Sequence, residues 1–340
     1  NKRLVRIIIA LFKGNKMRHT AQPCGLTPQQ PLYFRQKPLR SFPFIFVLMC
    51  LVLLSYARVS WAATPSGYDP KPDPLPGGVA VIELPVSLGR DEEPVAYFQG
   101  QRVFVMNRPY NRKSDNRWVA WVGIPLSTSA GKAPLTIEQP NGRNRDIIIN
   151  IRPPRHNDKY MVSRKPVKKN LTRQQVRQIE QDQALVEKLI KRWNSKAPDT
   201  RTFLHPTRGS ELRAFGDRSF LNGKLLDSHN GLDLTGQRAV APADGTVVMI
   251  RDLFYGGNTV IIDHGRGLFT HYSHLAEINF RIREGQRIRR GEEIGKIGIS
   301  GHHINAGIDY AVKIKHPHLH WGVSLNGVFV DPKLFLVEAE

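Results

Sequence analysis

The sequence predicts a mainly β protein: a small N-terminal β-sandwich, an amphipathic connecting helix, and a C-terminal domain of antiparallel sheet. Three observations predict it. From Val79 to Arg152, short β-branched and apolar runs alternate with Gly, Pro, Asn and Asp turns, the spacing of an immunoglobulin-like sandwich. A single stretch near 171–198 carries helical periodicity. From Phe203 to Leu336 the β-rich runs resume, broken by hairpin turns. The expected division is 63–155 for the sandwich, 156–200 for a basic linker containing the helix, and 201–340 for the C-terminal domain.

Residues 1–62 are expected to be an extension outside the fold. Arg35, Lys37 and Arg40 lead into "SFPFIFVLMCLVLLSYA", an apolar run of roughly 16 residues where a membrane span needs about 20. Ser60 and Ala62 suit signal-peptidase cleavage after Ala62. The alternative is an uncleaved membrane anchor. Lipoprotein attachment at Cys50 is disfavoured by the bulky Met49 before it. Met17 is the expected start, with residues 1–16 as upstream translation. Either way the domains are expected outside the inner membrane, in the periplasm or cell envelope. Cys24 and Cys50 are the only cysteines and both fall in this extension. The mature chain therefore has no thiol for a disulfide, a nucleophile or a metal, and any metal must be held by His and carboxylate.

The 340 residues carry 50 Lys and Arg against 29 Asp and Glu, a net charge of +21. Nucleic acid, an anionic membrane surface and an anionic wall polymer all suit such a charge. No arginine-rich run is interleaved with aromatics and no zinc-finger or RNA-binding signature is present, which argues against nucleic acid.

Each element has its own signal. "TPSGYDPKPDPLPGG", 64–78, reads as a linker or extended start. "VAVIELPVSL", "PVAYFQGQRVFVM", "RWVAWVGIPL", "PLTIEQP" and "RDIIINIRP" supply the sandwich strands. Thr172 with Gln175 forms a capping box, followed by Val176, Ile179, Val186, Ile190 and Trp193 at approximate helical spacing, with Pro198 beyond the end. This helix is expected to pack on a neighbouring domain. Turns at 243–245, 255–258, 264–267, 284–286 and 289–293 punctuate the C-terminal strands.

The sandwich region, Val79 to Arg152, contains no histidine, whereas most of the chain's 12 histidines lie beyond residue 200. "SHNGLDL" offers His229 and Asp233, "THYSHL" offers His271 and His274, and "HPHLH" offers His316, His318 and His320. In an extended strand the last three leave one face roughly 6.5 to 7 Å apart. Such a face builds a poor core, and it can hold a metal and a proton carrier side by side. A catalytic zinc keeps three protein ligands and one open position. Two histidines and one aspartate meet that count and leave further histidines for proton transfer. The chemistry this predicts is metal-assisted hydrolysis.

Taken together and in order, "HNGLD", "HYSHL" and "HPHLHWGV" resemble the lysostaphin-type, LytM-like zinc metalloendopeptidases that hydrolyse peptidoglycan. "LRAFGDRSFLNGK", "APADGTVV", "GGNTVIIDHGRGLFTHYSHL", "GEEIGKIGISG" and "NGVFVDP" extend the resemblance over about 203–335. The sandwich is similar, more loosely, to the immunoglobulin-like module preceding the peptidase in some secreted members. The resemblance implies His229, Asp233 and His320 as ligands of Zn2+. It implies His318 as a catalytic histidine, acting as general base or stabilising the oxyanion, and His274 as the second. The implied substrate is a peptide cross-link or stem peptide of peptidoglycan. His316 stands where the family commonly has a small residue, and "HHINAGIDYAVKIKH" is longer than the family's usual passage to its final motif. That loop is expected either as a tolerated insertion or as a device that narrows the groove or adds a ligand from His302, His303 or His316. His271 is expected at the surface or beside the site, Asp263 and His264 in a turn, Asp331 as a turn residue, and Arg213 and Asp217 at the mouth of the site. The alternative from another class is a catalytically inactive wall-binding activator of another hydrolase. An activating partner protein is compatible with both readings, and the sequence does not identify one.

Overall fold

The computed structural model describes residues 69–85, 93–109, 116–138, 143–155, 157–162, 171–199, 202–303 and 312–337. The expected signal or anchor segment lies outside the described residues. Among the described residues no helix is long and apolar enough to cross a membrane.

All five predicted N-terminal runs form strands: β1 (Val79–Leu84), β2 (Val95–Phe98), β3 (Gln101–Arg102), β4 (Phe104–Pro109), β5 (Asn116–Gly123), β6 (Gly131–Glu138) and β7 (Asn144–Ile151). The second run is split because Gln99 and Gly100, at φ 49° and 78°, turn the chain back on itself between β2 and β3. The sheets β1–β5–β4 and β3–β2–β6–β7 meet across Ala80, Trp118, Ala120 and Val122 on one side and Phe98, Leu135, Ile137 and Ile149 on the other. Strand alternation sends Val79, Phe104, Val119 and Trp121 to the opposite face of the first sheet. There they share a core with Phe203, Trp321 and Phe335 of the C-terminal domain. Phe104 stacks on Trp121 at 4.2 Å.

Asp158–Met161, expected as part of a linker, is instead a strand, β8. All four residues are exposed, so the strand has no apolar alternation to announce it, and it forms by pairing with a segment 60 residues away. Next comes α1 (Arg173–Ile190), whose capping box forms as predicted: Gln175 N donates to Thr172 Oγ1 and Thr172 N to Gln175 Oε1. Trp193 falls beyond the helix, with the guanidinium of Arg102 over its ring at 4.3 Å. Leu189 and Ile190, with Val186 beside them, pack on Met249, Ile261 and Phe269 of the C-terminal sheet.

That region comprises β9 (Glu211–Arg213), β10 (Arg218–Leu221), β11 (Lys224–Ser228), β12 (Leu232–Leu234), β13 (Arg238–Val240), β14 (Gly245–Leu253), β15 (Gly257–Gly265), β16 (Leu268–Ile278), β17 (Arg287–Ile288), β18 (Glu293–Ile297), β19 (His302–His303), β20 (Val312–Lys313), β21 (Leu319–Leu325) and β22 (Val328–Val330). Ten of these strands form an antiparallel sheet, ordered β17–β14–β15–β16–β21–β12–β9, with β13, β18 and β22 attached to its side. β8 joins β10 and β11 in a separate sheet, parallel to β10. In the large sheet Leu232, Leu234, Tyr272, Trp321 and Val323 face the shared core. The alternate positions, Asp233, His271, Ser273 and His320, therefore face the other way, and it is on this face that the chemistry-bearing residues gather.

Candidate metal centre

Strand register assembles the site. Asp233 on β12 is the direct cross-strand partner of His320 on β21, and His320 in turn faces Ser273 on β16. His229 precedes β12 and is held by the Ala214–Asp217 segment: its N donates to Asp217 O at 2.9 Å and its Nδ1 to Ala214 O at 2.7 Å. Gly231 makes the close approach possible. A Cβ there would stand 2.7 Å from Trp321 O and 2.8 Å from His320 Cε1.

Three ligand-type atoms converge. His229 Nε2 lies 2.9 Å from Asp233 Oδ1 and 3.0 Å from His320 Nδ1, and His320 Nδ1 lies 2.9 Å from Asp233 Oδ1. The far side of each imidazole sets its tautomer, because an oxygen acceptor facing one ring nitrogen requires the hydrogen there. His229 Nδ1 faces Ala214 O, and His320 Nε2 faces Asn230 Oδ1 at 3.1 Å. In their neutral forms both rings thus point lone pairs at Asp233 and at one another. Three lone-pair atoms so close are stable only around positive charge, which is either a proton on a ring or a metal ion. Burial lowers the pKa of His320, against the pull of Asp233. Burial would raise Asp233, but hydrogen bonds and positive charge from His229 and His320, present when a proton stands on a ring, outweigh that and hold its carboxyl well below the usual carboxylate range. A carboxylate and two imidazole nitrogens, with a cation able to take the place of the proton between them, are a donor set that fits a divalent metal such as zinc.

Two further histidines repeat the device. His318 Nδ1 donates to His316 O at 2.9 Å, and its Nε2 lies 4.0 Å from Asp233 Oδ1. His274 Nδ1 donates to Ser300 O at 3.0 Å. The His274 and His318 ring centroids are 4.9 Å apart. Burial pushes His274 down to about 3, helped by His320 and His318. Its backbone is in the left-handed region at φ 65°, uncommon for a residue with a side chain.

The cleft over this cluster has a volume of about 540 Å³. Lys159 and Met161 of β8 and Arg213 of β9 border it, and Val186 of α1 and Phe329 lie toward the helix. Arg213 pairs with Asp227 at 2.7 Å. The five candidate residues His229, Asp233, His274, His318 and His320 all face this one cleft.

The other candidates fall as follows. His271, expected at the surface or beside the site, is buried, with Nε2 3.0 Å from Ser324 Oγ and its ring against Phe329. Asp263 and His264, expected in a turn, end strand β15. His264 is buried with its Nδ1 donating to Asp244 O. Asp331 caps the short 3-10 turn Pro332–Phe335. The inserted loop pairs β19 with β20, and its residues 304–311 lie outside those described. His302 turns its Nδ1 to Phe254 O and stacks on that ring at 4.5 Å. His303 lies parallel to His318 at 5.9 Å. The His316 ring is exposed and only its carbonyl serves the site. None of these three belongs to the converging set. Sequence reasoning missed the groups that aim the rings, namely Asn230 and the carbonyls of Ala214, Ser300 and His316. A carbonyl acceptor leaves no residue-type signal.

Residues 227–332 match Peptidase family M23, and residues 72–150 match the Peptidase family M23 N-terminal domain. The chain is 35% identical over 107 residues to the peptidoglycan DD-endopeptidase ShyA of Vibrio cholerae, covering 31% of this chain and 22% of that protein. It is 33% identical over 107 residues to the DD-carboxypeptidase/endopeptidase Mpg of Neisseria meningitidis, again covering 31% and 22%. The chain thus matches about a fifth of the length of these relatives. A crystal structure of an M23 peptidase from Pseudomonas aeruginosa superposes with a TM-score of 0.60 at 30% identity, covering 78% of this chain and 95% of that one.

Proposed function

The chain belongs to peptidase family M23, and from that premise we propose that it is a zinc metalloendopeptidase hydrolysing cross-link or stem peptides of peptidoglycan outside the inner membrane. The observation that carries this reading is the convergence of His229 Nε2, Asp233 Oδ1 and His320 Nδ1 within 3.0 Å of one another, with His274 and His318 beside them. The relative named a peptidoglycan DD-endopeptidase supports the substrate class. The basic charge suits an anionic envelope, and the apolar run before Ala62 suits export.

In the proposed mechanism His229, Asp233 and His320 would hold the zinc, and the chemistry it would supply there is polarisation of the scissile carbonyl and acidification of a water. His318 and His274 each have Nδ1–H committed to a carbonyl, so each offers a lone pair at Nε2. Such a nitrogen first accepts a proton, from the attacking water, and only afterwards can donate one, to the leaving amine nitrogen. His318, whose Nε2 is 4.0 Å from Asp233 Oδ1, is the one we assign as base. His274 presents the same lone pair, so it can serve the oxyanion or the leaving amine only after it has itself taken up a proton at Nε2. Residues 63–155 are proposed as the accessory module, 201–340 as the peptidase, and 156–200 as the connector, whose strand β8 joins the peptidase beside its cleft. The inactive-activator reading needs a replaced ligand, whereas every ligand position here is filled.

The deciding experiment is release of soluble muropeptides from purified peptidoglycan, with and without a zinc chelator, the products identified by mass. Chelator-sensitive release is expected. A zinc-loaded protein that releases nothing overturns the proposal.

A further inference from the structure

Asp182 sits within α1, in the stretch between the two family matches. Both of its oxygens are engaged. Gln178 Nε2 donates to Oδ1 at 2.7 Å, and the backbone N of Phe254 donates to Oδ2 at 2.8 Å. Phe254 lies in the turn between β14 and β15, where Leu253 pairs with Gly257. Gly256 O in that turn accepts from His274 N at 2.7 Å, and Tyr255 O accepts from His302 N at 3.0 Å.

A second turn clasps the same residue from the other side. Ser300 O accepts from His274 Nδ1, and Ser300 Oγ accepts from Asn258 N at 3.0 Å while donating to Leu275 O at 2.8 Å. The two turns touch: a Cβ on Gly257 would stand 2.3 Å from Ser300 Oγ. His274 therefore has its backbone held by one turn and its ring by the other, at a φ of 65° that persists only if its surroundings impose it. The carboxylate tying the first turn to a rigid element is Asp182.

We propose that Asp182 is a positioning residue for His274, acting through the Phe254–Gly257 turn to fix where Nε2 points in the cleft. The inference rests on the hydrolytic role of His274 proposed above. In the zinc-loaded full chain, Asp182→Ala is expected to lower kcat about tenfold, the scale of a sub-ångström misplacement, with KM changed less than twofold. Asp182→Asn keeps an oxygen that can accept from Phe254 N and is expected to stay within twofold of wild type.

Two readouts do not depend on turnover. These are hydrogen-exchange protection of the Phe254 amide and the imidazole 15N shifts of His274. Both should change in Asp182→Ala and return in Asp182→Asn. If Phe254 loses protection in Asp182→Ala while the His274 shifts and kcat hold, or if only thermal stability falls, the proposal is overturned. If the wild-type chain cleaves nothing, the hydrolytic reading fails, and the His274 shifts still decide the positioning. Should Asp182→Ala not fold, Asp182→Glu, which displaces the oxygen by one methylene, takes its place under the same criteria.

Discussion

Gly231→Ala adds a single methyl group beside the metal centre. The Gly231 backbone lies outside the left-handed region, so alanine is acceptable there on conformational grounds, and only the contact is tested. The new Cβ would stand 2.7 Å from Trp321 O, 2.8 Å from His320 Cε1 and 2.9 Å from His320 Nε2. Carbon atoms pack at about 3.5 Å or more, so something must retreat by about 0.7 Å. The Trp321 carbonyl cannot easily do so, because Trp321 is paired with Leu232 on one side and Tyr272 on the other. The His320 ring must move, and it would leave Asn230 Oδ1 and the converging atoms. Metal–ligand distances tolerate only about 0.2 Å. Zinc affinity is therefore expected to fall about 10- to 100-fold, with overpacking costing about 1–3 kcal/mol of stability. Competition with a chromophoric chelator measures the first, and denaturant unfolding of the metal-free protein the second. A dissociation constant within twofold of wild type would refute the reasoning that this glycine exists to admit the ring.

Asp233→Ala should lose zinc and activity together, whereas His318→Ala should lose activity and keep most of the zinc. Equal zinc loss in both, measured by metal analysis after dialysis, would reverse the ligand assignment. His316→Ala should leave kcat/KM within about twofold, since the site uses the carbonyl rather than the imidazole. A larger loss would assign the ring a role. His264 gives a pH prediction far from the metal. Burial depresses it from 6.5 to about 4, so the unfolded chain binds the proton more tightly. The stability it contributes is complete above pH 6.5 and is lost as pH falls toward 4, by about 3 kcal/mol at 1.36 kcal/mol per pH unit. Denaturant curves of wild type and His264→Gln between pH 7 and pH 4 should diverge by that amount in their pH dependence, and parallel curves would contradict it.

What the sequence made legible follows from what leaves a local trace. The sandwich runs announced themselves by β-branched alternation, and α1 by its capping box, because both signals sit within a few residues of the element they specify. The histidines of the final motif were legible as a constellation, since three imidazoles on alternate positions have no use in a core. The pairing of Asp233 with His320 was not legible as a contact, because register across 87 residues depends on the whole sheet. β8 was missed for a related reason: four exposed residues in a basic stretch carry no pattern, and the partner strand decides their conformation. His271 was expected at the surface or beside the site, and it lies beside the site, lining the cleft, but buried rather than at the surface. Here its position on β16 turns it toward the helix-facing side, where Ser324 satisfies one nitrogen and Phe329 covers the ring.

The turn Asn326–Gly327 between β21 and β22 joins two parts of the molecule that sequence reading would treat as separable. Both residues are left-handed, at φ 57° and 79°, as a two-residue hairpin of this type requires. The same asparagine reaches across to the sandwich, accepting from Phe104 N at 3.0 Å and donating to Trp121 O at 2.9 Å. Trp121 and Phe104 in turn complete the core beneath the strand that carries His318's neighbours. A catalytic fragment cut at residue 201 would therefore expose a wide apolar face and leave both polar atoms of the Asn326 side-chain amide without these partners. Such a fragment would aggregate or bind another chain in its place. The piece expected to stay soluble when expressed alone therefore begins before Val79, and a monomeric, zinc-binding fragment of residues 201–340 would contradict that expectation.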